Sequence, residues 1–179
     1  MIMEYNFGSY PTMITPYDKN GKIDFENVKR YVRWYAENNC HGIFSVCQSS
    51  EIFFLDEDER TELNRTVYEE AQKVARETGK RMTIVSSGHV SEKLEDQARE
   101  LNRIYDSGTD ALIFITNRLD LNNEGDDVWL SNAEKLLNRR EIRVAFPSPP
   151  QPAMREDCIP ASFPCGSHPW RWHCHWWKR

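Results

Sequence analysis

The sequence contains no apolar run that approaches the ~18 residues of a membrane-spanning helix. Its first residues, MIMEYNFGSY, provide neither the basic start nor the apolar stretch of a secretory signal peptide. An excess of positive charge is also missing, because 23 basic residues stand against 28 acidic ones and give a formal net charge of −5. A nucleic-acid partner would require the opposite balance. We therefore expect a cytoplasmic protein with no membrane or nucleic-acid partner.

The 179 residues suffice for one domain with a sizeable core, but their composition changes after Ile142. Residues 143–179 hold seven of the nine prolines, four of the six tryptophans and three of the five cysteines. They show neither helical nor strand periodicity. We therefore expect an ordered part over residues 1–142 and an irregular tail over residues 143–179, such as a change of reading frame near Arg143 would produce.

Strand-like and helix-like patterns alternate along the first part. Short apolar segments predict strands, and a helical stripe follows each of the first four. The predicted strands cover residues 9–15, 42–47, 82–86, 111–116 and 143–146. This alternation predicts an α/β fold with a parallel sheet and crossover helices. Both an open doubly wound sheet and part of a barrel fit the pattern.

Polar residues indicate where the predicted helices begin and end. Asp24 is placed to cap the first helix, and Asp56 and Glu59 form a D-x-x-E start for the second. Ser91 is predicted to cap the third helix, and Gly108 to end it. His89 is a lone histidine after the third strand, and we expect a structural or solvated role for it.

Two phrases in the first part carry a resemblance to a known family. A T-P-x-x-x-x-G-x-I-D phrase follows the first predicted strand, and a G-[ST]-T-G-E phrase with an L-x-x-x-E-R helix start follows the second. The residues that match are Thr15, Pro16, Gly21, Ile23, Asp24, Glu51, Leu55, Glu59 and Arg60. On these phrases, residues 8–142 resemble the dihydrodipicolinate synthase and N-acetylneuraminate lyase family.

The resemblance implies a fold and a reaction. The family fold is a TIM (β/α)8 barrel, so this chain would hold its first four to five βα units followed by the irregular tail. The implied reaction is a Schiff-base (class I) aldol reaction on pyruvate or a related 2-oxo acid, without a cofactor. A lysine on strand six attacks the keto carbon and a tyrosine on strand five relays protons. Members are usually homotetramers.

The resemblance also assigns a substrate-binding motif, which this chain matches in part. Gln48 and Ser49 stand where the family has two hydroxyl residues that hold the pyruvate carboxylate. Cys47 and Ser50 replace the two flanking glycines. We therefore predict that the substrate-binding residues are Gln48, Ser49 and Ser50.

The residues that perform the chemistry are not matched. The T-P-Y-Y phrase of the family reads T-N-R-L at residues 116–119, which removes a relay tyrosine. Neither a strand-five tyrosine phrase nor a strand-six lysine appears after Ile142, and Lys135 lies on an outer predicted helix. We therefore predict no catalytic residue and no Schiff-base turnover in this chain.

The sequence allows two other interpretations. One is a non-catalytic half-barrel that binds a small acid or acts as an oligomerising interaction module through its open strand edges. The other is a zinc site in the tail, whose cysteines and histidines have the spacing C-x6-C-x2-H-x4-H-C-H. This spacing fits none of the paired patterns of structural zinc sites, so we expect no metal.

Overall fold

Three short parallel strands and four helices alternate along residues 8–138, the part of the chain that the computed structural model describes. The strands are β1 (Gly42–Phe44), β2 (Thr83–Ser86) and β3 (Ala111–Leu112), in the sheet order β1-β2-β3. The helices are α1 (Phe25–Glu37), α2 (Glu57–Thr78), α3 (Leu94–Asp106) and α4 (Asp126–Asn138). This arrangement confirms the predicted α/β class, as consecutive βα units of a partial barrel.

The first predicted strand, residues 9–15, is reduced to a single bridge between Thr12 and Phe44. The segment still runs parallel to β1, since the Met13 N–H donates to the Phe44 carbonyl (2.9 Å) and the Phe44 N–H donates to the Pro11 carbonyl (3.0 Å). Pro11 has no N–H, so the ladder cannot continue through it. The sequence therefore correctly predicted where this segment lies, but the segment is not the regular strand that we expected.

Strands β1 and β3 end earlier than predicted, at Phe44 and Leu112, whereas β2 ends at Ser86 as predicted. Side-chain hydrogen bonds to backbone carbonyls follow these ends. The Ser50 hydroxyl lies 2.9 Å from the Ser45 carbonyl, and the Ser87 hydroxyl donates to the Ile113 carbonyl at 2.7 Å. Such side-chain hydrogen bonds compete with the sheet ladder. The chain leaves the sheet at these points and forms the loops that contain the candidate site.

The first two helices begin as predicted. The Asp24 side chain accepts a hydrogen bond from the Asn27 N–H at 3.0 Å. Asp56 and Glu59 form a reciprocal capping box, with distances of 2.7 and 2.9 Å. Both starts depend on residues within three positions of each other, so the local sequence was enough to identify them.

The predicted cap of the third helix is wrong. Helix α3 begins at Leu94, and its N-cap, Lys93, makes no side-chain capping bond. The Ser91 hydroxyl donates to Glu100 Oε1 instead (2.9 Å), and the Ser91 N–H donates to Glu100 Oε2 (3.1 Å). Ser91 thus donates its hydrogen bonds to a buried carboxylate and does not cap the helix.

The helices cover one face of the sheet. Side chains alternate between the faces along a strand, and Ile43 and Ile84 are fully buried against α1 and α2. The other face, which we call the open face, carries Ile14, Phe44, Val85 and Ile113. Among the described residues this face is only partly covered, since Ile14 is 53% exposed and Ile113 is 38% exposed.

A buried polar cluster ties α2 to the sheet. The side-chain carbonyl of Asn64 accepts hydrogen bonds from the Ser45 and Ser86 hydroxyls, each at 2.5 Å. Its amide group donates to the Ser107 hydroxyl (2.8 Å) and to the Gly108 carbonyl (2.6 Å). Every polar atom of this side chain therefore has a partner, as a buried amide requires. The cluster holds β1, β2 and the segment between α3 and β3 in one position relative to α2.

The fifth predicted strand, residues 143–146, and the tail over residues 143–179 lie outside the described residues. The predicted boundary at Ile142 therefore stays a prediction. Within residues 8–138, no helix combines the length and the apolar character that crossing a membrane would require.

Candidate functional site

The loop that follows β1 brings the predicted binding residues to the carboxyl edge of the sheet. Residues Gln48–Ser50 form one turn of 3-10 helix there. Parallel α/β sheets place their ligands at this edge. The side chains of Gln48 and Ser49 are exposed and make no hydrogen bond to any residue between 8 and 138. Their amide and hydroxyl groups are therefore available to a ligand.

The third predicted residue, Ser50, is fully buried beneath this turn. Its hydroxyl lies 2.8 Å from the Met13 carbonyl and 2.9 Å from the Ser45 carbonyl, and it accepts a hydrogen bond from the Cys47 N–H at 3.3 Å. A hydroxyl has one hydrogen to donate, and here carbonyl groups of the chain compete for it. The structure thus separates Ser50, which supports the loop, from Gln48 and Ser49, which face solvent.

The two phrases that matched the family meet in space at this loop. Thr15, from the first phrase, donates its hydroxyl hydrogen to the Ser50 carbonyl at 2.8 Å. The Tyr17 hydroxyl donates to Glu51 Oε2 at 3.1 Å, and partial burial, followed by this hydrogen bond, raises the pKa of Tyr17. Glu51 has a φ of 60°, in the left-handed region. These contacts hold the turn from the side of the first segment.

The loop after β2 contributes a buried histidine. His89 is fully buried, and its Nε2 accepts a hydrogen bond from the Ile115 N–H at 2.6 Å. Its Nδ1 must then carry the proton, which it donates to Gln97 Oε1 at 2.9 Å. Burial lowers the pKa of His89, so the imidazole is neutral near pH 7. This geometry agrees with the structural role that we expected for His89.

A second buried contact links the loops after β1 and β2. The Glu100 carboxylate accepts hydrogen bonds from the Val90 N–H, from the N–H and hydroxyl of Ser91, and from Arg60 Nη2 at 2.8 Å. Arg60 also donates to the Leu55 carbonyl at 2.6 Å. Both charged side chains are at most 5% exposed. The ion pair therefore fixes the position of each loop relative to the other.

The loop after β3 contributes Arg118, which sequence reasoning treated only as part of a missing tyrosine phrase. Its guanidinium carbon lies 4.9 Å from the centre of the Phe53 ring, which belongs to the loop after β1. Its Nε is buried and has no hydrogen-bond partner within residues 8–138. The one available signal was a cationic residue after a predicted strand. Its stacking partner is 65 positions away and could not be identified locally.

Amines are few in the loops that follow the three strands. The loops after β1 and β3, residues 45–56 and 113–125, contain no lysine, and the loop after β2 ends in Lys93, the exposed N-cap of α3. Lys135 is exposed on α4, away from these loops. Across residues 8–138 there is also no group of three or more histidine, cysteine, aspartate or glutamate side chains that could hold a metal. The loops after β1 and β3 therefore offer an anion hydrogen bonding by neutral donors and attraction by one guanidinium.

Comparison with known sequences finds a matching family. The model described as "Dihydrodipicolinate synthetase family" matches residues 6–116, more than half of the chain. A 4-hydroxy-tetrahydrodipicolinate synthase of Jannaschia sp. (strain CCS1) is 30% identical over 109 residues, which cover 61% of this chain and 34% of that protein. An N-acetylneuraminate lyase of Lactiplantibacillus plantarum is 32% identical over 63 residues, or 35% of this chain and 22% of the lyase.

Solved structures show the same fold. A dihydrodipicolinate synthase from Bacillus anthracis superposes with a TM-score of 0.58 at 21% identity, over 74% of this chain and 42% of that one. A chloride-inhibited dihydrodipicolinate synthase from Acinetobacter baumannii, complexed with pyruvate, gives 0.59 at 20% identity, over 73% of this chain and 41% of that one. The chain thus spans about a third of the length of the first curated relative.

Proposed function

Because the chain belongs to the dihydrodipicolinate synthetase family, whose relatives here include lyases, we propose that it binds the carboxylate of a small 2-oxo acid such as pyruvate. One observation carries the proposal. Gln48 and Ser49 present uncommitted donors at the carboxyl edge of the sheet, in the loop where the family resemblance places carboxylate binding. A structural neighbour complexed with pyruvate supports the choice of ligand.

The donors differ from those of the family pattern in a way that bears on the ligand. The amide of Gln48 offers two N–H donors on a longer side chain, where the family has a hydroxyl with one donor. Ser49 keeps a hydroxyl. A carboxylate can accept from both groups at once through its two oxygens. The longer glutamine side chain brings the carboxylate further from the turn, so an acid of different size from pyruvate would also fit.

We propose further that the 179 residues bind this acid without forming a Schiff base. An iminium requires a lysine amine that faces the keto carbon. The loop after β1, which holds the proposed carboxylate donors, contains no lysine, and neither does the loop after β3. Lys135 lies on the outer helix α4 and cannot reach the bound carbonyl. The family reaction is thereby reduced here to its binding step.

Titration of the purified chain with pyruvate, followed by NMR, tests the binding site. A hydrogen bond to a charged carboxylate contributes about 1.5–3 kcal/mol, so the double variant Gln48→Ala/Ser49→Ala should bind pyruvate roughly a hundredfold more weakly or worse. The matched control is Gln72→Ala/Ser131→Ala, which removes the same two residue types from α2 and α4. Equal affinity in the wild type and the Gln48/Ser49 variant would contradict the proposal.

A second candidate function follows from the open face. Ile14 and Ile113 expose apolar surface on the sheet side that the described helices do not cover. We propose that a second copy of the chain covers this face, which would make the half-barrel a non-catalytic interaction module as well. The expected tetramer, the cytoplasmic location and the change of reading frame near Arg143 stay predictions.

A further inference from the structure

Arg118 carries a positive charge that no residue between 8 and 138 neutralises by an ion pair. Two of the other arginines of this region, Arg30 and Arg76, also have no ion pair, but both are exposed on helices. The remaining six pair with carboxylates: Arg33, Arg60, Arg65, Arg81, Arg99 and Arg103. The guanidinium of Arg118 contacts an aromatic ring instead. Its Nε–H is enclosed by protein and has no hydrogen-bond partner among residues 8–138. An unpaired guanidinium that is half-buried at a ligand-binding edge requires an explanation.

The backbone of Arg118 is held in place by hydrogen bonds to the surrounding structure. The Arg118 N–H donates to the Ile115 carbonyl at 3.0 Å, and the Arg118 carbonyl accepts from Gln97 Nε2 at 3.0 Å. Gln97 is in turn oriented by buried His89. The guanidinium itself contacts the Phe53 ring, with its carbon 4.9 Å from the ring centre. A side chain that is ordered before binding loses little conformational entropy when a ligand arrives.

Two carboxylates in the same loops, Glu51 and Asp120, already accept hydrogen bonds from the chain. Glu51 accepts a hydrogen bond from the Tyr17 hydroxyl. Asp120 accepts from the backbone N–H groups of Glu124 (3.0 Å) and Gly125 (2.9 Å), and these bonds lower the pKa of Asp120. Neither carboxylate pairs with Arg118. An external oxyanion is therefore the group that would complete its hydrogen bonding, because a guanidinium offers a planar fork of donors to two oxygens.

The arrangement places two kinds of anion-binding group on different loops. Gln48 and Ser49 follow β1, whereas Arg118 follows β3, two strand spacings away, or about 10 Å across the sheet. The contact with Phe53 shows that the arginine side chain extends back towards the loop after β1. Two separate sites within one short span suit a ligand with an anionic group at each end.

We propose that Arg118 binds a second anionic group of the ligand, so that the chain prefers a 2-oxo acid with two carboxylates over one with a single carboxylate. This inference rests on the proposed function, because Gln48 and Ser49 hold the first carboxylate. Arg118 thereby determines specificity between two classes of acid. It binds through its terminal nitrogens, which lie beyond the shielded Nε.

The test compares the affinities of the full chain for 2-oxoglutarate and for pyruvate. A hydrogen-bonded charge pair corresponds to roughly a ten- to hundredfold preference, which we expect in the wild type. Arg118→Gln should abolish the preference, because it weakens the binding of 2-oxoglutarate more than that of pyruvate. The matched control Arg76→Gln removes the same charge from the exposed outer surface of α2 and should change neither value. The ratio of the two affinities is informative because a structural disturbance would weaken both acids together.

A second variant covers the case in which Arg118→Gln does not fold. Arg118→Lys keeps the charge but loses the planar fork, and it should retain part of the preference. Equal binding of both acids by the wild type, or a preference that survives Arg118→Gln, would overturn the inference and leave the proposed function standing if pyruvate binding still depends on Gln48 and Ser49. Binding of neither acid would overturn both.

Discussion

The imidazole of His89 accepts a hydrogen bond from the backbone N–H of Ile115 at 2.6 Å, beneath the carboxyl edge of the sheet. This contact is possible only when Nε2 carries no proton, so the loop after β3 depends on a neutral histidine. The side-chain oxygen of Gln97 accepts the hydrogen bond from Nδ1, and the side-chain nitrogen of Gln97 donates to the Arg118 carbonyl. The loop that carries Arg118 is thus held by the buried, neutral tautomer of His89 that has its proton on Nδ1.

This contact predicts a loss of stability in mild acid. Burial lowers the pKa of His89 in the folded chain, whereas a histidine in the unfolded chain has a pKa of about 6.5. The unfolded chain therefore binds more protons as the pH falls below about 6.5, and the free energy of unfolding decreases. Urea unfolding between about pH 8 and pH 5 should show this decrease, and His89→Gln should reduce its slope. His41→Gln changes an exposed histidine and serves as control. An equal slope in the wild type and His89→Gln would show that His89 does not cause it.

The buried ion pair between Arg60 and Glu100 predicts a large effect of single substitutions. Arg60→Met leaves the Glu100 carboxylate buried without its countercharge, which should destabilise the fold by about 3–5 kcal/mol. Arg99→Met removes an exposed pair with Glu57 and should cost at most about 1 kcal/mol. Chemical denaturation measures both changes. Similar values for the two variants would mean that the buried pair does not hold the loops together.

The capping box of α2 predicts a smaller and more local effect. Asp56→Ala removes the acceptor for the Glu59 N–H and should destabilise the chain by about 0.5–2 kcal/mol. Asp56→Asn keeps a side-chain oxygen at the same place and should lose much less. Thermal unfolding of the two variants checks the difference. If both variants lose the same stability, the negative charge rather than the capping bond is responsible.

The open face predicts self-association. If a second copy covers Ile14 and Ile113, the double variant Ile14→Asp/Ile113→Asp should be monomeric at concentrations where the wild type associates. Leu137→Asp is the control, because Leu137 is 49% exposed on α4 and lies outside this face. Sedimentation velocity distinguishes the species. A wild type that stays monomeric, or an Asp variant that still associates, would contradict the second candidate function.

Local features of the fold could be predicted from the sequence because their causes are local. Asp24 and the pair Asp56 and Glu59 cap helices through residues three positions apart. The alternation of strands and helices followed from hydrophobic periodicity. Ser91 was assigned wrongly because its partner, Glu100, is buried by the tertiary fold nine residues later. A propensity for capping cannot compete with a buried carboxylate that requires donors.

The candidate site could be predicted only in part for the same reason. The family resemblance identified the turn at residues 48–50, but the three side chains have similar polarity in the sequence. The backbone buries Ser50 against Met13 and exposes Gln48 and Ser49, which separates them. Arg118 was missed because its role depends on Phe53 and on an unpaired buried nitrogen. Both features exist only once the loops after β1 and β3 are adjacent.

The central claim is that this chain binds a 2-oxo acid through Gln48 and Ser49 and does not react with it. The most direct test is an NMR titration with pyruvate that is isotopically labelled at its keto carbon. We expect a shift or broadening of the keto resonance that keeps its carbonyl character and disappears with Gln48→Ala/Ser49→Ala. An iminium resonance, or an unperturbed keto resonance at saturating protein, would contradict the claim.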